Sequence, residues 1–394
     1  MTKRPLFLHV GTSKSGTSAL QVGLWDSVDI LNASGLGLPL VGRGEAVRQM
    51  LRPLGWTPHA GFVEELDPEG LKTLGTRLRD TLGDRLVISN EDLAEAPPGP
   101  IAAFREMVEA ADLDLHVIVT ARDWAKQLAS DWQQLLKHRI TTDYETFLHQ
   151  VRDHQGSEGE TFWRRQDFFG VCDRWGAGLD PSHVHLVPVP AAAVDKDAIF
   201  RVFADLLDFD PSTLRIDPER EINTSFGYVE AEMLRRVNLA LGDRLPDYEK
   251  EYMLAVRRIL VRRAIPRGQP PRITLPPAHV AWVREIAEER ITAVHERGFT
   301  VHGDQTLLLP DPRVVAPLPE LDEAAMASAA IETLANFAYA EFQDRRGKRR
   351  KQRVPSLRAT SPAHQDLPEV PPAEAPPAPQ RASLARRIIR RLRP

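Results

Sequence analysis

The residues best equipped for chemistry lie in the run Gly11-Thr12-Ser13-Lys14-Ser15-Gly16-Thr17-Ser18. Glycines let a backbone approach a ligand closely, hydroxyls supply donors, and Lys14 supplies a full positive charge. The apolar run Leu6-Phe7-Leu8-His9-Val10 precedes this loop, and Ala19-Leu20-Gln21 opens a helical pattern after it. A strand, a glycine-rich loop and a helix N-terminus in succession make an anion site. Free backbone N–H groups and the positive end of the helix converge there. The expected ligand is a nucleotide phosphate or a phosphosulfate.

The lysine position narrows this further. An NTPase P-loop reads G-x-x-x-x-G-K-[ST]. Gly11 and Gly16 have that spacing, but position 17 is Thr and the lysine lies between the glycines, in the order G-x-x-K-x-G-T-S. A glycine-rich turn that happens to carry a lysine is the plain alternative. A second segment supports the first. Leu115 to Thr120 is apolar and rich in β-branched residues, as a buried parallel strand requires. Ala121-Arg122-Asp123 leave that strand, and Trp124 to Lys137 reads as a helix with Leu128, Trp132, Leu135 and Leu136 on one side. Arg122 can grip a phosphate with its planar fork. The competing reading pairs Arg122 with Asp123 or another acid and leaves Ser130 in solvent.

These segments resemble the sulfotransferases that use 3′-phosphoadenosine-5′-phosphosulfate (PAPS). The loop order G-x-x-K-x-G-T-S is similar to their 5′-phosphosulfate loop. The blocks Leu8 to Gln21 and Thr120 to Gln133 look like a sulfotransferase-like family common in actinobacteria. The resemblance implies Lys14 on the phosphosulfate, Ser15, Gly16, Thr17 and Ser18 around the 5′-phosphate, and Arg122 with Ser130 on the 3′-phosphate. A later loop, Asn223-Thr224-Ser225-Phe226-Gly227, matches the segment that closes over the 3′-phosphate or adenine, with Asn223 as the contact; a polar turn capping a helix is the alternative. Animal cytosolic members place a Trp shortly after the lysine to stack on adenine, whereas Ala19 stands there in this chain. The implied fold is α/β, a P-loop-like parallel sheet flanked by helices (the sulfotransferase fold), with a helical C-terminal part and a disordered tail. The implied cofactor is PAPS, with no metal required.

Transfer to a hydroxyl or amine acceptor needs a base within hydrogen-bond reach. Leu86 to Glu91 reads as a strand with a polar end, and ligands of open α/β sheets bind at the carboxyl ends of strands. Glu91 is therefore the first candidate base, against its reading as an ordinary acid at a helix start. His59, in the Pro- and Gly-containing loop around it, is the second. His9, inside the first strand, reads as a packed residue beneath the loop. Asp123 reads as a partner of Arg122, with a base as the alternative.

The elements that must position these residues follow the same alternation. Leu71 to Leu82 and Ile101 to Ala111 read as amphipathic helices flanking strands, so the chain alternates β and α. Thr142 to Val151, Phe162 to Trp175, Ala198 to Leu207, Val229 to Leu241, Tyr248 to Ala264 and Ala278 to Arg297 read as further helices. Trp163, Phe168, Phe169 and Trp175 read as core, and Arg164 and Arg165 as a solvated face, with contact to a cofactor or acceptor as the alternative. Arg257, Arg258, Arg262 and Arg263 form a basic helix face that is solvated or meets an anion. His183 to Pro190 reads as a short strand whose two histidines, His183 and His185, share a face; no third metal ligand is suggested, so their reading is structural.

Composition fits a soluble enzyme. Hydrophobic residues make up 42% of 394, an ordinary globular share. The lone cysteine, Cys172, excludes an intrachain disulfide and a cysteine metal cluster. No apolar run reaches membrane-spanning length, and Leu6 to Val10 is too short for a signal sequence, so a cytoplasmic protein is expected. Residues 344–394 hold 14 Lys and Arg against 4 Asp and Glu, a net +10; with −4 for the whole chain, residues 1–343 carry −14. The expected domains are an α/β domain over 1–343, a basic and Pro/Ala-rich linker over 344–380, and a basic amphipathic helix over 381–394. That helix places Leu384, Ala385, Ile388, Ile389 and Leu392 opposite its arginines, which suits an anionic membrane surface; a merely solubilising tail is the alternative. A peripheral position at the inner membrane surface is expected through it, with no nucleic-acid partner. The acceptor class stays open among lipid, glycan and small metabolite. Two other functions stay open: a P-loop nucleotide kinase or NTPase, and an inactive nucleotide-binding scaffold anchored by its tail.

Overall fold

The structure is a computed structural model. It describes residues 3–352 apart from 58–59, 191–194, 196, 217–224 and 268–269, with backbone alone at 249 and from 344 onward. His59, Asn223 and residues 353–394, with most of the expected linker and the whole terminal helix, lie outside the described residues. One compact unit spans Met1–Asp344 and a second Arg345–Pro394. The first holds the sheet and the glycine-rich loop.

At the centre of this first unit lies a six-stranded sheet. The strands are β1 (Arg4–Gly11), β2 (Leu36–Gly37), β5 (Arg85–Ser89), β6 (Leu113–Ala121), β7 (Val184–Pro188) and β8 (Thr300–Val301); a separate antiparallel hairpin joins β3 (Trp56–Thr57) to β4 (Gly61–Phe62). The sheet order is β2-β5-β1-β6-β7-β8, and its neighbouring strands pair in parallel. The apolar runs of the sequence explain this. Leu6, Leu8, Val10, Val117 and Val119 bury into one core with Phe104, Trp132 and Trp175. Phe7, Val87, Ile118 and Val187 face the other, against Leu20, Leu24, Phe200 and Phe203. Both faces are covered, so the strands are hydrophobic throughout rather than alternating.

The strand order fixes where the site falls. From β1 the chain crosses to the edge strand β2 and comes back inward to β5 beside β1, then builds β6, β7 and β8 outward on the other side. The carboxyl end of β1 is thus a switch point, the place where open α/β sheets bind ligands. It sets Lys14 between the residues that follow β5 and those that follow β6.

The helices largely match the periodicity. Those at Pro68–Asp80, Pro98–Ala110, Trp124–Leu136, Tyr144–Arg152 and Ala198–Leu207 lie within a few residues of expectation. The C-terminal part is helical at Tyr228–Leu241, Tyr248–Ala264, Val280–Glu296 and Glu323–Gln352. The single helix expected over Phe162 to Trp175 is instead two, Gly156–Gln166 and Phe168–Gly176. Asp167 breaks it: its backbone is extended and its carboxylate accepts the Gly170 N–H as an N-cap. The strand expected from His183 starts at Val184, because Asp180 caps a tight turn over Pro181–His183. Trp163, Phe168, Trp175 and Cys172 are buried, as expected of core residues. No helix among the described residues is long and apolar enough to cross a membrane.

Candidate functional site

The loop after β1 takes its shape from three residues in left-handed conformations: Gly11 (φ 116°), Lys14 (φ 66°) and Gly16 (φ 92°). A side chain at Gly11 would meet Ala94, the Glu91 carbonyl and the Ser13 nitrogen, each at 3.3 Å. For Lys14 the conformation costs on the order of 1 kcal/mol, and such outliers gather at functional sites. The helix Thr17–Asp26 begins immediately. Its N-cap, Gly16, offers no side-chain cap and its first turn holds no acid. Among the described residues, the N–H groups of Gly16, Thr17 and Ser18 donate to no protein acceptor. Gly16 is exposed, Ser18 half-buried and Thr17 buried.

A buried polar network holds the loop from below. The Ser15 hydroxyl donates to the Thr12 carbonyl at 2.6 Å and lies 2.6 Å from Thr120 Oγ1. Thr120 Oγ1 in turn lies 3.0 Å from the Gly11 carbonyl and 3.0 Å from His9 Nε2, and His9 Nδ1 lies 2.7 Å from Ser89 Oγ. Burial pushes the His9 pKa down to about 3, so the ring is neutral and bridges β5, β1 and β6. His9 is the packed residue beneath the loop that its position suggests. Ser15 turns its hydroxyl inward, so what it holds is the loop's shape.

Braces from the next strand and helix fix the loop's flank. Gln127 Nε2 donates to the Ser13 carbonyl at 2.7 Å and Gln166 Nε2 to Ser13 Oγ at 2.8 Å. Arg122 donates from Nε to Gln127 Oε1 at 2.9 Å and from Nη2 to Ser130 Oγ at 3.0 Å. Arg122 and Ser130 are therefore side by side, as their spacing implied. Burial lowers the Arg122 pKa to about 10, and among the described residues the guanidinium pairs with no carboxylate. Asp123 is not its hydrogen-bond partner. Asp123 Oδ1 accepts from the Ala125 N–H at 2.7 Å as a helix cap and Oδ2 from the Asp311 N–H at 2.9 Å. The short side chain reaches the backbone of its own helix more readily than the guanidinium, which points along that helix.

Lys14 makes no hydrogen bond or ion pair with any described residue. Burial lowers its pKa, opposed by Asp131 and then Glu91, while Arg122 and Arg165 push it down further. Glu91 follows β5, at the start of a turn capped by Asn90, and Gln21 Nε2 donates to its Oε2 at 2.5 Å. Lys14, Glu91, Arg122 and Ser130 thus surround one switch point. His59 and Asn223 cannot be placed there, being outside the described residues.

Other residues of the site are not legible in the motifs. Arg165, expected on a solvated face, forks onto both oxygens of the fully buried Asp131 at 3.1 Å. Its Nε and the neighbouring Gln166 Oε1 are buried without partners among the described residues. The signal for Asp131 was a charge on the apolar face of its helix, between Leu128 and Trp132; that for Gln127 was its place three residues from Ser130, on the same face. Lys137 ends the same helix, 5.0 Å above the Phe226 ring, with Arg267 at 5.3 Å from that ring. Burial, then Lys14, Arg267 and Arg257, pull the Lys137 pKa down to about 7. Arg257 brings the basic helix face toward this cluster. Two clefts, of about 410 and 360 Å³, lie elsewhere and are lined by neither Lys14, Glu91 nor Arg122. Lys14 and Arg122, which pair with no carboxylate among the described residues, mark this site rather than cavity volume.

No family model matches the chain, and no curated protein sequence does. Among solved structures, the chain is similar to a sulfotransferase from Alicyclobacillus acidocaldarius, with 15% identity and a TM-score of 0.36 over 61% of this chain and 95% of that one.

Proposed function

We propose that this protein is a PAPS-dependent sulfotransferase that moves a sulfuryl group in line to a hydroxyl or amine acceptor. The observation that carries the proposal is Lys14, unpaired among the described residues, at an uncapped helix start, beside the Arg122–Ser130 pair and facing Glu91. Two separated cationic grips suit a nucleotide bearing phosphates at both ends of its ribose. The amides of Gly16 to Ser18 and Lys14 would take the 5′-phosphosulfate, and Arg122 with Ser130 the 3′-phosphate.

In the transfer, the acceptor oxygen or nitrogen forms a bond to sulfur as the bond from sulfur to the bridging oxygen breaks. The acceptor's proton passes to Glu91, which Gln21 holds in place. Negative charge grows on the bridging oxygen, which leaves as part of 3′-phosphoadenosine-5′-phosphate (PAP). Lys14 and the helix amides stabilise that charge as it develops. The kinase reading lacks support here, because Asp123, the acid following β6, is occupied in capping. The acceptor is a lipid, glycan or small metabolite, and the basic tail would carry the protein to an anionic membrane surface. Calorimetric titration with PAP, with ATP plus magnesium as the comparison, tests the proposal. Magnesium-independent binding of PAP, weakened in Lys14→Ala, supports it; preference for ATP with magnesium overturns it.

A further inference from the structure

The opposite end of the same strands holds a second cluster of side chains that the transfer does not use. Asp114 and His116 are two residues apart on β6 and so share a face. His183 lies in the turn before β7 and His185 on β7, paired with Ile118 of β6. His302 follows β8 and donates its N–H to the Leu186 carbonyl at 2.8 Å. His116 stacks on His183 with ring centres 4.0 Å apart. Asp114 Oδ2 lies 3.6 Å from His116 Nε2, and Asp114 Oδ1 lies 3.4 Å from His183 Nδ1. One ligand atom from each of the three falls within 4.8 Å of the others.

We propose that Asp114, His116 and His183 form a site for a zinc-class divalent transition metal, bound through one carboxylate oxygen, His116 Nε2 and His183 Nδ1. The proposal does not rest on the assignment of the phosphate loop. Tetrahedral ligands at bonds of about 2.0–2.1 Å stand about 3.3–3.5 Å apart; each ring nitrogen lies at about that distance from one Asp114 oxygen, His116 from Oδ2 and His183 from Oδ1, so a small turn of the carboxylate brings one oxygen to both. Two imidazoles and a carboxylate are a borderline N/O donor set, which favours zinc over magnesium or calcium. Among the described residues, Asp114 pairs with no Lys or Arg, so its charge is free to offset a cation.

The outer row of the cluster has the form such a site needs. A metal-bound imidazole usually hands its other N–H to an acceptor that fixes its tautomer and orientation. His116 Nδ1 lies 3.1 Å from His185 Nε2, and His185 Nδ1 lies 3.0 Å from His302 Nε2. With His116 donating to His185 and His185 to His302, the protons of His116 and His185 each have an acceptor and His116 Nε2 keeps its lone pair for the metal. The His183 side chain is 26% exposed, on a three-residue turn. Binding would draw its ring out of the stack onto the ion, and its exposed side gives the ion an entry path. Three protein ligands leave one position for water. The ion would clasp β6 to the turn entering β7, at the edge where β8 adds only two residues.

A second trio serves as an internal control. Glu145, His149 and His279 also converge, but His279 is fully engaged: Nε2 lies 2.8 Å from Glu145 Oε1, and Nδ1 accepts from Trp282 Nε1 at 3.0 Å. No lone pair is left on that ring for a metal.

The test is titration of the tag-free, chelator-stripped full chain with zinc, in competition with a chromogenic chelator. Cobalt(II) absorption serves as the geometric readout. One equivalent should bind at micromolar affinity or tighter, with the intense visible band of tetrahedral cobalt. His183→Ala, on an exposed turn, should weaken binding at least about 100-fold with an unchanged circular dichroism spectrum; His302→Ala, in the outer row, should weaken it about tenfold. Asp114→Asn provides an independent check, and His149→Ala should change nothing. Absence of micromolar zinc binding would overturn the proposal. So would binding that survives both His183→Ala and Asp114→Asn, or binding lost in His149→Ala.

Discussion

Thr120→Val isolates the network that shapes the phosphate loop. Valine keeps the shape of threonine and removes one hydroxyl, so no cavity forms. The hydroxyl has three buried neighbours: the Gly11 carbonyl at 3.0 Å, Ser15 Oγ at 2.6 Å and His9 Nε2 at 3.0 Å. Proton directions follow from the chemistry. Ser15 gives its proton to the Thr12 carbonyl, and Ser89 gives its proton to His9 Nδ1, so neutral His9 donates from Nε2 to Thr120. The variant strands the His9 N–H without an acceptor and deprives Gly11 or Ser15 of a donor. A stranded buried donor costs about 1–3 kcal/mol, and the acceptor adds less, so a loss of about 2–4 kcal/mol is expected. Urea denaturation should show it as a lowered midpoint with unchanged slope. Thr120→Ser keeps the hydroxyl and should lose only about 1 kcal/mol, the share of one methyl group. A Thr120→Val protein within about 0.5 kcal/mol of wild type, or a serine variant equally damaged, would refute the reasoning.

Two further outcomes follow from buried titratable groups. His9 has its pKa lowered by burial from 6.5 to about 3, so unfolding takes up a proton in that window. Its contribution is fully present above pH 6.5 and is lost as pH falls toward 3, by up to about 1.4 kcal/mol per unit; urea denaturation across pH should show a shallower acid slope in His9→Gln. Lys137, at about 7, gains its charge as pH falls through neutrality. PAP affinity should therefore rise between pH 8 and 6, and calorimetry on Lys137→Met should find that dependence flattened.

Much of this architecture was legible because it is local. The strand–loop–helix run around Lys14, and Arg122 eight residues before Ser130, are patterns of spacing, and the observed hydrogen bond joins that second pair. What escaped depends on contacts distant in sequence. Gln166 reaches Ser13 across 153 residues, and Arg165 reaches Asp131 across 34. Nothing near Arg165 in the chain distinguishes a buried ion pair from a solvated face. That Asp114 and His116 stand beside His183 and His185 was not legible, because they arrive from a neighbouring strand and register is not written in either strand alone. The helix break at Asp167 failed for a different reason: a strong apolar period across Phe162 to Trp175 masked a cap that works through one side-chain hydrogen bond.

The central claim is that Arg122 and Ser130 read a 3′-phosphate while Lys14 and the helix start read a 5′-phosphate. The most direct measurement is the calorimetric affinity of PAP relative to 5′-AMP, which lacks the 3′-phosphate, in wild type and in Arg122→Ala. Two charge-assisted hydrogen bonds from the guanidinium are worth about 3 kcal/mol or more, so wild type should favour PAP at least about 100-fold. In Arg122→Ala the ratio should collapse toward unity while 5′-AMP affinity holds. A wild-type protein that binds the two alike, or a preference that survives Arg122→Ala, would contradict the account.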